Sequence, residues 1–150
     1  MTTGQKEPNN GSDVALIDEL EEMLRAEGVR ITQQRMAILA ALASSHDHPN
    51  IDELHERAKT LNASVSLATV YRTVTVLEER GALIRNEFEG ASTCYELANK
   101  PHHDHLIDVE TGKVVEFCSE EIEALQETIA KELGYDIVYH RLELYVKKRR

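Results

Sequence analysis

Ser66-Leu67-Ala68-Thr69-Val70-Tyr71-Arg72-Thr73-Val74-Thr75-Val76-Leu77, with Gly81 closing the run, organises the first half of this chain. Ser66 is a helix cap, because its hydroxyl can accept a backbone N–H of the first turn. Leu67, Val70, Val74 and Leu77 recur at helical spacing and form one buried stripe. Gly81 ends the helix, and two strands follow, Ala82–Phe88 and Ser92–Leu97, joined by Glu89-Gly90-Ala91. Upstream, Val14–Ala26 carries Leu16, Ile17, Leu20, Met23 and Leu24 on one face. Thr32 caps the next helix, with Ile38, Leu39 and Leu42 as its stripe, and Asn50 with Glu53 forms a capping box opening Ile51–Leu61. Helices leading into a β-hairpin are the winged-helix arrangement, in which the helix before the hairpin enters the major groove. Ser66, Thr69, Tyr71 and Arg72 would face that groove. The same pattern also suits an ordinary helix with a solvated polar face.

Past a hinge at Asn99-Lys100-Pro101 comes His102-His103-Asp104-His105. Read as a strand, this segment alternates faces. His103 and His105 then point one way, and His102 and Asp104 the other. If Thr111-Gly112 makes a two-residue loop, Ile107 faces Glu116, which puts Glu116 on the face of His103 and His105. A one-residue slip would move it away. A helix opens at Ser119, with Glu120, Glu121 and Glu123 in its first turn. The segment Tyr135–Val146 reads as a strand in which Val138, Leu142, Leu144 and Val146 share the parity of His140. A histidine on such an apolar face needs a metal or carboxylate partner. Idle histidines on a solvated strand are the alternative, and so dense a ligand cluster argues against it.

Composition narrows the classes. The 150 residues suit one domain or two small ones, and no apolar run approaches a membrane span. Residues 1–13 are polar and lack signal-peptide features, so they read as a disordered tail. Cys94 and Cys118 are the only cysteines. They exclude a thiolate zinc knuckle and a disulfide scaffold, suit the cytoplasm, and read as small, half-buried strand residues. The net charge of −10 is unusual for a DNA binder. Between Met23 and Arg85, however, eight Lys or Arg balance seven Asp or Glu, so the acid excess lies upstream of Met23 and in the ligand-bearing half. Divalent ions would offset that repulsion. The second half is also too small for a large core, and would be more stable paired with a copy of itself.

Taken together, the chain resembles the ferric uptake regulator family from about Arg25 to Tyr145. The resemblance rests on Gly28-Val29-Arg30-Ile31-Thr32-x-x-Arg35, Ala68-Thr69-Val70-Tyr71-Arg72, His102-His103-Asp104-His105-Leu106-Ile107, Gly112-Lys113-Val114-Val115-Glu116-Phe117 and His140-Arg141-Leu142-Glu143-Leu144-Tyr145. It implies an α+β chain with a winged-helix DNA-binding domain (14–98), a hinge (99–101) and a small α/β domain for dimerisation and metal binding (102–150). It also implies a sensing site of His48, Glu96, His103, His105 and Glu116, with His46 a possible substitute for His48. A second site matches His102, Asp104, Glu123 and His140. For DNA, Tyr71 and Arg72 match major-groove contacts, Arg30 a minor-groove contact and Arg35 a phosphate contact. The cysteine pairs with which many relatives hold structural zinc are missing. Asp108 and Thr111 stand at the first pair, and the chain ends Lys147-Lys148-Arg149-Arg150.

The expectation is therefore a cytoplasmic, homodimeric repressor, not an enzyme, that binds double-stranded operator DNA when loaded with Fe(II) and controls metal-uptake genes. Mn(II) is the alternative regulatory ion, because nitrogen and oxygen ligands suit either, and relatives of similar pattern are manganese uptake regulators. Zn(II) stands higher in the affinity series and would occupy the site in purified protein. A metallohydrolase would need an open coordination position and a differently spaced histidine motif. A metal buffer without DNA affinity is the remaining rival.

Overall fold

The computed structural model describes residues 10–150, so most of the expected tail lies outside the described residues. Where description begins the chain is already helical. α1 spans Asn10–Ala26 and starts ahead of the expected Val14. α2 (Gln33–Ser44), α3 (Ile51–Leu61) and α4 (Leu67–Glu79) precede the hairpin of β1 (Leu83–Asn86) and β2 (Cys94–Leu97). Then come β3 (Asp104–Asp108), β4 (Val114–Phe117), α5 (Glu120–Glu132) and β5 (Glu143–Val146). The architecture is α+β, in two compact units. One runs to Glu87 and includes Ser92–Asn99; the other holds Lys100–Arg150 and the turn Phe88–Ala91. Among the described residues no helix is long and apolar enough to cross a membrane.

The first unit is a winged helix whose elements begin where local chemistry dictates. Thr32 accepts the N–H of Arg35, Ser66 accepts that of Thr69, and Asn50 and Glu53 form a reciprocal capping box. The apolar stripes meet in one core of Leu20, Leu24, Ile38, Leu39, Leu54, Val70, Val74 and Leu77. Each is at most 1 % exposed, and such burial stabilises by about 1.5–3 kcal/mol per side chain. His55 donates from Nε2 to the Val65 carbonyl at 2.8 Å, which ties α3 to the segment that launches α4. Thr69 belongs to the core as well, being 9 % exposed. It shares the Val70–Thr73 face, so the groove-facing role expected for it fails.

The second unit is a three-stranded sheet, ordered β4-β3-β5, with α5. β3 and β4 are antiparallel, with His105 opposite Glu116 and Ile107 opposite Val114. The expected pairing of Ile107 with Glu116 is thus shifted by two residues, and a shift of two keeps parity. The cause is a longer loop. Asp108 N–H donates to the Lys113 carbonyl, and the Asp108 carboxylate accepts from the N–H groups of Glu110 and Thr111. Gly112 closes the loop at φ 75°, a conformation that favours glycine. These N–H donors hold the Asp108 carboxyl below the usual carboxylate range.

Two further expectations change. His102 and His103 precede β3 rather than lying within it. β5 begins only at Glu143, because it pairs in parallel with β3 from His105 onward and earlier residues have no ladder to join. Val138 is 94 % exposed, so His140 does not sit on an apolar strand face.

Cys94 is buried, whereas Cys118 is exposed just beyond β4, not half-buried in a strand. Burial, aided by the nearby charges of Glu96 and Glu53, pushes the Cys94 thiol up to about 11. Its thiolate is therefore scarce at neutral pH. Iodoacetamide should label Cys118 in the folded protein and Cys94 only on unfolding. Mass spectrometry reads this, and equal labelling rates would contradict the placement of Cys94 in the core.

Candidate metal centre

In the first unit, His48 lies between α2 and α3. Its segment is held by backbone and side chain together. The Tyr95 N–H donates to the Pro49 carbonyl at 2.9 Å, so the residues before α3 lie along β2. On the other side, Arg57 of α3 forks onto both oxygens of Asp47, at 2.8 and 2.7 Å, and donates to Ser45 Oγ at 2.9 Å. The guanidinium holds the Asp47 carboxyl below its usual range. The pair's contribution is therefore full above the usual carboxylate range and declines progressively as pH falls from there to the lowered value, where it is gone.

Between these clamps, His48 Nε2 meets Glu96 Oε2 at 3.0 Å, with side chains 2 % and 3 % exposed. Glu96 Oε1 accepts from the buried amide of Asn86 on β1 at 3.1 Å. Both oxygens of this carboxylate are thereby aimed. His46, the possible substitute, is exposed.

In the second unit, His103 and His105 bring their rings to 4.8 Å, roughly perpendicular. His103 Nδ1 donates to the Pro101 carbonyl at 3.0 Å. That bond puts the proton on Nδ1 and the lone pair on Nε2, the tautomer a ligand requires. Glu116 Oε1 lies 3.6 Å from His103 Nε2. Phe88 packs on the His105 ring at 5.0 Å, an apolar wall on one side of it.

The other cluster is complete within this unit. His102 Nε2 lies 3.1 Å from His140 Nε2, 3.4 Å from Asp104 Oδ1 and 3.3 Å from Glu123 Oε1. His140 Nε2 lies 3.3 Å from Asp104 Oδ1 and 3.4 Å from Glu123 Oε1. All four ligand atoms fall within 4.8 Å of one another. One imidazole nitrogen carries at most one proton and cannot serve three neighbours. Glu123 Oε1, although buried, makes no hydrogen bond. Four donors aimed at a common centre explain both facts. A tetrahedral ion with bonds of about 2.0–2.1 Å sets ligand atoms about 3.3–3.4 Å apart. Four of these edges, at 3.3–3.4 Å, match that figure, and the His102–His140 edge is shorter at 3.1 Å. Asp104 Oδ1 is anchored by depth, since its side chain is 0 % exposed. Glu123 comes from the first turn of α5, which Ser119 caps.

Tyr71 and Arg72 are both exposed on α4, Tyr71 by 51 %. Arg30 is exposed, and its carbonyl accepts from Arg35 Nη1 at 2.7 Å, which braces the segment entering α2. Sequence reasoning missed Asn86 and Lys100, whose ammonium lies 2.7 Å from Glu116 Oε1. A lone amide in a strand and a lysine in a hinge carry no pattern that could have marked them.

A profile of the Ferric uptake regulator family matches residues 26–145. A ferric uptake regulation protein of Brucella suis is 53 % identical over 85 % of this chain and 91 % of its own. Among solved structures, a zinc-bound manganese uptake regulator shares 48 % identity over 87 % of this chain and 98 % of its own, with a TM-score of 0.75. The ferric uptake regulator of Helicobacter pylori, described with three functional metal-binding sites, gives a TM-score of 0.80 at 26 % identity, covering 91 % of each chain. The matched region runs from the end of α1 through α2–α4, the hairpin and the histidine-rich segment into β5, and it sets the hydrolase alternative aside. The chain belongs to the ferric uptake regulator family, whose members are metal-responsive transcriptional regulators and not enzymes.

Proposed function

We propose that this chain is a homodimeric repressor of metal-uptake genes that binds operator DNA when Fe(II) is held by His48, Glu96, His103, His105 and Glu116. The observation that carries the reading is the tautomer of His103, fixed by Pro101 so that Nε2 presents a lone pair beside Glu116. A solvated, idle histidine has no need of that bond. The buried, doubly bonded Glu96 beside His48 supports it from the first unit. A bound divalent ion supplies two fixed positive charges to ligands drawn from both units. The binding free energy then favours one arrangement of the winged helices, as a ligand-driven switch requires. This role places the chain in the cytoplasm.

The second cluster we assign as a tetrahedral site for Zn(II), on the edge lengths given above. The exposed apolar residues of the second unit support the homodimer. Leu125 and Ile129 of α5, its C-cap Leu133, and Val138 and Tyr139 beyond it are 47–94 % exposed, and α5 has no buried residue. A second copy would cover them.

Mn(II) as the regulatory ion is the second reading. It is favoured by the likeness to a manganese uptake regulator and by a sensing set of nitrogen and oxygen ligands alone. Operator binding at buffered free Fe(II), Mn(II) and Zn(II) tests both. Activation by Fe(II) at a lower multiple of its cellular level than Mn(II) supports the first reading, and the reverse order supports the second. Operator binding indifferent to all three metals overturns both.

Arg72 is proposed to fork onto a base edge, with Tyr71 beside it, Arg30 in the minor groove and Arg35 at a phosphate. Arg72→Ala should weaken specific operator binding by about 1–3 kcal/mol and leave metal affinity nearly unchanged. Fluorescence anisotropy with specific and scrambled duplexes reads this. Equal loss on both duplexes would make Arg72 a phosphate contact instead.

A further inference from the structure

Glu116 already has a cation. The Lys100 ammonium lies 2.7 Å from its Oε1, with the two side chains 19 % and 29 % exposed. That oxygen also lies nearest His103 Nε2, at 3.6 Å. We propose that Lys100 is a tethered competitor for the regulatory ion, and that it sets the metal concentration at which the protein responds. The inference rests on the sensing-site reading above and deepens it.

The physical case is direct. A carboxylate oxygen shared between an ammonium and a divalent cation must give up much of one interaction to make the other. The two cations also repel, and in a half-buried setting water screens them less than at an open surface. Lys100 is tethered within the Asn99-Lys100-Pro101 segment, so its effective concentration at Glu116 is fixed by the chain and not by the medium. Pro101, the next residue, also accepts the bond that sets the His103 tautomer. Release of the ammonium from Glu116 therefore occurs beside the backbone that orients a ligand. The competition applies to any divalent ion and lowers affinity for all of them. It suits a regulator that must stay silent at basal metal.

A supporting role for Lys100 and a competing role predict opposite signs. The test uses the full-length, metal-stripped chain, titrated with Mn(II) alone and with Zn(II) alone against a competing chelator. His103→Ala identifies the sensing-site affinity as the one that disappears. Lys100→Gln should raise that affinity about tenfold, equivalent to about 1.4 kcal/mol, and leave the His102, Asp104, Glu123 and His140 site unchanged. Lys100→Arg keeps the charge and should stay near the parent value. Operator binding by Lys100→Gln should then begin at about tenfold lower free Mn(II). Unchanged or weakened sensing-site affinity in Lys100→Gln overturns the competitor role, while loss in His103→Ala keeps the sensing site. If His103→Ala loses neither affinity, the sensing-site reading falls and this inference with it.

Discussion

His103→Ala should lose metal-activated operator binding while remaining folded. The imidazole is oriented by the Pro101 carbonyl and lies against Glu116, but it is not among the buried residues that form the core. Its removal therefore costs little packing. It does remove the proposed ligand, whose tautomer is set in advance. Losing an outer-shell partner of a metal ligand costs roughly 10–100-fold in affinity, and losing the ligand itself should cost at least the upper end. Operator affinity at saturating metal for the parent should drop to the metal-free level. Circular dichroism and anisotropy, run side by side across a Mn(II) titration, separate lost switching from lost structure. A variant that still tightens fully on operator with metal would remove His103 from the sensor.

The helices of the first unit were legible because each is started by residues a few positions away. Thr32, Asn50 with Glu53, and Ser66 all cap as their local chemistry requires. Thr69 misled because Thr is polar, although its spacing from Val70 and Thr73 puts it on the buried side. Glu116 was placed on the right face despite a wrong register. Strand parity has period two, and the extra loop residues around the Asp108 turn came in a number that preserved it. His140 shows the converse. Alternation in Tyr135–Val146 imitated a strand, yet the partner strand β3 offers pairing only from Glu143 onward. What brings His140 to His102 and Asp104 is a non-local chain path after α5, to which no local pattern points. Asn86 and Lys100 were silent for the same reason, since their partners lie ten and sixteen residues away.

That non-local cluster carries the second large prediction. His140→Ala should destabilise the metal-loaded protein and still leave metal-activated operator binding when metal is in excess. Asp104 is the deeply buried member, with a side chain 0 % exposed and Oδ2 making no hydrogen bond. A buried carboxylate is tolerated when a cation or donors offset its lost hydration. Taking away one imidazole weakens the proposed Zn(II) site, which would supply this offset, and it loosens the links from β3 to α5 and to the segment before β5. A loss of about 1–2 kcal/mol lowers the melting temperature by roughly 5–15 °C for a domain this small. The proposed dimer should weaken with it, because Val138 and Tyr139 adjoin His140 in the chain. His48→Ala should lose activation in a chain that stays folded, with its own cost in melting temperature from taking the imidazole away from the buried Glu96. Stripping the parent with a chelator should reproduce the lowered melting temperature, and adding back Zn(II) should restore it. The assignment fails if His140→Ala abolishes activation in a chain that stays folded and dimeric, for the cluster would then be the switch.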